Sequence, residues 1–364
     1  MVKLPLIAKA TPSFVNFLNT PLTEDDKFLF KLNTIWSNEA DPIGYRNQPR
    51  YYKFNQHIVF DSAPDPKLTN SKPLNVLIED RVNQLANKGK LIKMFWSGGI
   101  DSTLATAALL PAIKHKDQLE IYLTCESLRE NPLFYDYIQQ FNVRVRMWSD
   151  DWAIPFGPKD LVVTGTSADE ITGSLDRSFY DKQKVWLNQP WQIFFKAQGF
   201  DAAFIERCEQ LFSESQSPIN TVFDARWWFY FYIRHTEFVR RDWGYNLENN
   251  LNCVEAFYNT EEFDSWSLQN KESVIGSEYC NYKQPFKDVI HRYWPNKDFQ
   301  LNKEKVTSNL SIQWVIKKMS ILNQQYLFIY KNAKGEFKPF RPTQYPFVSK
   351  KDVLNCLEQI QHEI

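Results

Sequence analysis

Ser97-Gly98-Gly99-Ile100-Asp101-Ser102 combines hydroxyls, glycines and one carboxylate in six residues. The string follows the apolar run Leu91-Ile92-Lys93-Met94-Phe95-Trp96 and precedes Thr103-Leu104-Ala105-Thr106-Ala107-Ala108-Leu109-Leu110, which is rich in helix formers. Strand, glycine turn and helix N-terminus in that order make a seat for phosphate, because the first N–H groups of a helix are unpaired and its dipole end is positive. Gly98 and Gly99 permit close approach of backbone to an anion, and Ser97 and Ser102 add hydroxyl donors. Asp101 would repel phosphate unless Mg²⁺ lay between them, since magnesium takes carboxylate, water and phosphate oxygens. Asp169, in Thr164-Gly165-Thr166-Ser167-Ala168-Asp169-Glu170, offers a second carboxylate. Two carboxylates flanking a phosphate chain suit one or two Mg²⁺ ions that neutralise a leaving group. No lysine lies in the turn, unlike the Gly-Lys-Ser/Thr phosphate loop, so a cation must come from elsewhere.

The elements that must position these residues are legible around them. Ile78, Val82 and Leu85 recur at helical spacing between Asn75 and Lys88, and Gly89 marks a stop. Strands are expected at 91–96, 119–124, 143–148 and 161–164, with the motif helix ending soon after Pro111 and a short helix from Leu133 to Phe141. Strands alternating with helices predict βαβ units and a parallel sheet, whose ligands bind at the carboxyl ends of strands. The Ser97 and Gly165 loops should therefore open on one edge. Residues 190–260 read as mainly helical, and Trp227-Trp228-Phe229-Tyr230-Phe231-Tyr232 as a buried helix rather than a base-stacking surface. Short strands are expected within 51–60, a hairpin at 325–340, and a final helix opened by a capping box at Ser349-Lys350-Lys351-Asp352.

The Ser-Gly-Gly-X-Asp-Ser string resembles the PP-loop of the ATP pyrophosphatases. The wider pattern resembles the synthetase domain of asparagine synthetase and the β-lactam-forming synthetases over about residues 75–310. Four stretches carry this: the helix, strand and Ser97–Ser102 string; Thr164 to Gly173, similar to the family's Ser-Gly-Glu-Gly-X-Asp-Glu segment; Val254-Glu255-Ala256-Phe257-Tyr258-Asn259-Thr260-Glu261-Glu262-Phe263, distantly similar to Glu-X-Arg-X-Pro-Phe-Leu-Asp; and Tyr282-Lys283-Gln284-Pro285-Phe286-Lys287 with Lys303-Glu304-Lys305, where the family carries Lys-X-X-Leu-Arg and a pyrophosphate-facing lysine. The resemblance implies an α/β, parallel-sheet domain of the adenine nucleotide alpha hydrolase-like (HUP-type) kind, with an N-terminal extension and helical additions. It implies ATP held by Ser97, Gly98, Gly99, Asp101, Ser102 and Gly165, Mg²⁺ held by Asp101 and Asp169, adenine against backbone from Thr124 to Ser127, and a catalytic cation from Lys303 or Lys305, with Lys283 and Lys287 next in line. Thr166 stands where the family has a glutamate, so the chemistry differs or relies on Glu170.

The resemblance implies an ATP-dependent, AMP-forming ligase or cyclase. A small-molecule carboxylate would be adenylated, and an amine would then displace AMP. The family's glutaminase half begins with a cysteine after the initiator, whereas this chain has Val2, and Cys125 is its first cysteine. Instead of glutamine, the nucleophile is expected to be free ammonia, an amine-bearing substrate or an amine on the acid itself that closes a ring, the latter two being favoured. Other PP-loop branches, the nucleobase and tRNA modifiers and NAD synthetase, share the loop, and a non-catalytic nucleotide-binding protein is the reading from outside catalysis.

Composition bounds these readings. The 364 residues allow a PP-loop domain over 73–310 (mainly helical over 190–300), an extension over 1–72 and a C-terminal hairpin and helix over 311–364. Lys plus Arg equals Asp plus Glu at 43 each, which speaks against a nucleic-acid partner. The five cysteines form no Cys-X-X-Cys pair, so neither zinc nor a disulfide framework is indicated. With no signal-like N-terminus and no apolar run of roughly 18 residues, a cytoplasmic protein without membrane association is expected.

Overall fold

The computed structural model describes residues 72–113, 115–147, 157, 159–173, 184–234, 253–274 and 282–304, together with 6–9, 28, 32, 67–68, 326–331 and 337–340. The chain divides into two compact units, 1–57 with 307–364, and 58–306. In the first, β1 (Leu6–Lys9), β7 (Tyr326–Lys331) and β8 (Phe337–Phe340) form an antiparallel sheet in the order β1-β7-β8. The expected hairpin is thus present, and a strand from the N-terminal extension pairs with it through Leu6–Lys9 against Tyr326–Ile329. The strands expected within 51–60 and the capping box at 349–352 lie outside the described residues.

The second unit is an α/β body on a five-stranded, wholly parallel sheet. Its strands are β2 (Leu91–Phe95), β3 (Leu119–Leu123), β4 (Arg144–Met147), β5 (Asp160–Thr164) and β6 (Val254–Ala256), in the order β4-β3-β2-β5-β6. Strands β3 and β5 are buried throughout, their apolar residues as expected of a parallel sheet, with Glu120 paired to Arg144 and Asp160 to Lys93. The chain steps outward from β2 to β4, then crosses back to β5 on the other side of β2. The reversal falls between β2 and β5, where parallel sheets leave a crevice at their carboxyl ends.

Ile92, Met94, Ile121, Leu161 and Val163 share one core with helices α1 (Leu74–Ala86), α2 (Ile100–Ala112) and α4 (Pro132–Gln139). Helix α1 buries Leu74, Leu77, Ile78, Arg81, Val82 and Leu85, the stripe expected of an amphipathic helix. Helix α2 buries every residue from Ser102 to Leu110, so it lies inside the body rather than on it. Pro111 falls in its last turn and Ile113 is already extended. The opposite sheet face carries Phe95, Tyr122, Val162 and Cys253, and an ion pair between Lys93 and Asp160 at 2.8 Å.

Two elements depart from the sequence expectation. Residues Cys125–Glu130 form a short helix, α3, because Thr124 and Ser127 cap it reciprocally. Strand β6 interrupts a region read as helical. Arg81 fixes it by donating to the carbonyls of Ala256 (3.1 Å) and Phe257 (3.0 Å) and by pairing with Glu255 at 3.0 Å. The rest of 190–234 is mainly helical, as expected: α6 (Trp191–Ala197), α7 (Ala202–Phe212) and α8 (Val222–Trp228), which continues as a π-helical turn over Phe229–Arg234. Trp227, Trp228, Phe229 and Phe231 are fully buried there. Helices α5 (Ala168–Thr172), α9 (Glu261–Val274), α10 (Gln284–Tyr293) and α11 (Lys297–Asn302) complete the unit.

Candidate active site

The Ser97–Ser102 string leaves β2 and opens α2 at the sheet's reversal point. Its hydroxyls organise the turn from within. The Ser97 N–H donates to Ser102 Oγ at 3.0 Å, the two hydroxyls lie 2.9 Å apart, and Ser102 Oγ donates to the Gly99 carbonyl at 3.3 Å. Gly99 is the N-cap of α2 and supplies no side-chain acceptor. The first N–H groups of this 13-residue helix therefore keep their capacity to bind an anion.

The two glycines do different work. Gly98 has φ +81°, and a Cβ there would lie 2.6 Å from the Ser127 carbonyl oxygen and 2.7 Å from Glu130 Cβ. It lets the turn rest against α3. Gly99 has φ −71° and an open side, where a Cβ would find its nearest neighbour, Ser97 Oγ, at 3.5 Å. Gly165, after β5, presses on the same turn: a Cβ would meet the Ser102 nitrogen at 2.7 Å. The two loops expected on one edge are in van der Waals contact through this glycine.

Their carboxylates converge. Lys283 Nζ donates to both oxygens of Asp101 (2.7 and 2.8 Å) and to Asp169 Oδ1 at 2.6 Å. Lys283 is the N-cap of α10 in the left-handed region at φ 58°, and its side chain is 3% exposed, against 25% for Asp101 and 50% for Asp169. Burial alone would lower its pKa; the Asp101 and Asp169 carboxylates outweigh that and hold it well above the ordinary lysine value. The Tyr282 ring lies 5.3 Å from the ammonium, and its hydroxyl is 3.2 Å from Thr172 Oγ1, which ties α10 to the helix that carries Asp169. Tyr258, buried beyond β6 and stacked on Phe286, donates to the Asp101 carbonyl at 2.7 Å.

The remaining expected residues fall around this centre. Lys303 Nζ does not meet the two aspartates. It bonds Glu130 Oε1 at 2.6 Å and the Glu130 carbonyl at 2.9 Å, behind the Gly98 turn. Lys305 lies outside the described residues. Glu170 is buried on α5, and Lys287 is fully buried one turn beyond Lys283. The Thr124 hydroxyl accepts from the Ser127 N–H as the cap of α3. The Thr166 hydroxyl is hydrogen-bonded to that of Thr164. Lys283 and Tyr258 are the residues that sequence reasoning underweighted. Both lie in stretches quoted for their resemblance, but nothing in their spacing shows that they reach Asp101 across 182 and 157 residues.

Two carboxylates aimed at one point, beside hydroxyls and the N-terminus of α2, suit Mg²⁺ bound with a phosphate chain, since magnesium commonly uses one or two carboxylates, water and phosphate oxygens. The described residues contain no group of three or more His, Cys, Asp or Glu placed to hold a metal by themselves. No helix among them is long and apolar enough to cross a membrane. No protein-family model matches the chain, and no curated protein sequence does.

Proposed function

We propose that this chain is an ATP-dependent, AMP- and pyrophosphate-forming ligase or cyclase on an adenine nucleotide alpha hydrolase-like (HUP-type) sheet. The observation that carries the reading is the convergence of Asp101 and Asp169, from the two loops at the sheet's reversal point, on the buried ammonium of Lys283. The pair differs from the buried Lys93–Asp160 and Lys303–Glu130 pairs in that both of its acids remain partly exposed, at the loops that end β2 and β5.

In this reading the N–H groups that open α2, with Ser97 and Ser102, hold the triphosphate. Asp101 and Asp169 hold Mg²⁺, which when bound supplies charge neutralisation on the phosphate oxygens. Lys283, rather than Lys303, supplies the protein's own cation. Lys283 lies against both carboxylates, whereas Lys303 is committed to Glu130. A substrate carboxylate attacks the α-phosphorus and pyrophosphate leaves, its growing charge met by the Lys283 ammonium; an amine then attacks the acyl-adenylate and AMP departs. Backbone near Thr124, at the end of β3, lies on the same sheet edge and is assigned to adenine.

The test is incubation with Mg²⁺, ATP and a panel of amino- and hydroxy-acids, followed by nucleotide chromatography. AMP and pyrophosphate are expected; ADP and phosphate would reject the mechanism. Thr166 favours one competitor, a nucleotide-binding protein without turnover, because its hydroxyl is bonded to Thr164 where the family has an acid. ATP binding with no AMP from any acid would select that competitor.

A further inference from the structure

Resting on the reading above, we propose that Lys283 is an internal counter-ion that closes the Asp101–Asp169 pair to free divalent cations, so that a metal enters only with a polyphosphate that draws the ammonium away. Three short hydrogen bonds run from one nitrogen to both acids, so the ammonium stands where a cation shared by the two carboxylates would stand. A free divalent ion would have to expel it. The expelled ammonium would then be buried with its counter-charge already taken, which costs several kcal/mol.

The lysine is also held from behind. Its carbonyl accepts the N–H groups of Phe286 (3.0 Å) and Lys287 (3.2 Å) at the start of α10, and the Tyr282 ring lies beside its ammonium. Its backbone therefore stays at the site when its side chain changes partner. A polyphosphate on the α2 N-terminus alters the balance, because it brings new acceptors for the ammonium along with the metal. Metal and nucleotide then favour one another's binding, as linked ligands must. Such an arrangement keeps the aspartates from collecting a metal in the absence of nucleotide, and it delivers the lysine to the phosphate chain in the same movement.

The probe is Mn²⁺ without nucleotide, titrated by electron paramagnetic resonance of the free ion. The wild-type protein should bind it weakly. Lys283→Met should bind it about tenfold to a hundredfold more tightly, since a unit positive charge has left the pair. Adding Asp169→Asn to Lys283→Met should abolish the gain. Tight Mn²⁺ binding by the wild type, or no gain in a folded Lys283→Met, overturns the proposal. If Lys283→Met does not fold in metal-free buffer, it should refold when Mn²⁺ is present, and failure to do so also overturns it. These titrations contain no ATP. A gain in Mn²⁺ affinity in a protein that makes no AMP would keep the counter-ion and discard the ligase.

Discussion

Replacing Gly98 by alanine should damage the protein far more than the same change at Gly99. At Gly98 the new methyl enters a backbone with φ +81°. The left-handed conformation costs a non-glycine residue about 1–2 kcal/mol. The methyl also lands 2.6 Å from the Ser127 carbonyl and 2.7 and 3.0 Å from Glu130 Cβ and Cγ. Glu130 cannot swing aside cheaply, because its carboxylate is buried and paired with Lys303 at 2.6 Å. Overpacking of this kind costs about 1–3 kcal/mol, so the total loss should be about 2–5 kcal/mol. Gly99, at φ −71° with its nearest neighbour at 3.5 Å, should accept alanine within about 0.5 kcal/mol. Urea unfolding of the two variants, compared through midpoint and slope, measures both. A Gly98→Ala loss under about 1 kcal/mol would refute the argument. So would a Gly99→Ala loss as large as that at Gly98. Gly99→Ala should instead raise the KM for ATP, because its open side faces the place assigned to phosphate.

Asp101→Asn keeps the side-chain shape and removes the charge, so pyrophosphate release should fall about 10²–10³-fold while the circular dichroism spectrum is unchanged. Lys303→Ala should cost about 3–5 kcal/mol of stability by leaving Glu130 buried and uncompensated. Its kcat should fall much less than that of Lys283→Ala, and steady-state assays of the two with matched unfolding curves separate the roles. Tyr122, stacked on Phe95, is pushed up to about 12 by burial and by the neighbouring Glu120 carboxylate. The folded state thus keeps a proton that the unfolded chain releases near pH 10, and stability is full below that pH and declines as pH rises through about 12. Tyr122→Phe should make the fall in stability between pH 10 and 12 shallower than in the wild type, and an identical slope in alkaline urea titrations would show that Tyr122 is not responsible.

Local patterns proved legible where a single physical rule governs. Of the four strands from Leu91 to Thr164, β2, β3 and β5 are mostly apolar and β4 alternates, and helices follow β2 and β3 before the next parallel strand. The Trp227–Phe231 run is buried because aromatic rings at successive helical positions have no solvent-compatible face. Strand β6 was not legible, because three residues carry no periodicity and its position depends on Arg81, far upstream. In the site, the glycine turn and the second acidic loop were visible as motifs. The identity of the cation was not. The resemblance put Lys303 and Lys305 first and Lys283 and Lys287 after them, and it is the left-handed backbone at Lys283 and the Tyr282–Thr172 contact that bring Lys283 to the acids. The two glycines were likewise indistinguishable until their φ angles and neighbours were known.

The hydrogen bond from Tyr258 to the Asp101 carbonyl and the reach of Lys283 to the same residue make the site a late event in biosynthesis. The residues of the glycine turn have been translated by residue 102, and both aspartates by residue 169, yet the Tyr258 hydroxyl that holds the Asp101 carbonyl and the counter-charge of the two acids arrive only with residues 258 and 283. Until then the nascent chain carries two acids without the ammonium that joins them, and contacts of such sequence separation are slow to form. The order of synthesis therefore withholds a completed charge centre until the last helices of the unit have emerged from the ribosome, and a chain interrupted before α10 would lack it altogether.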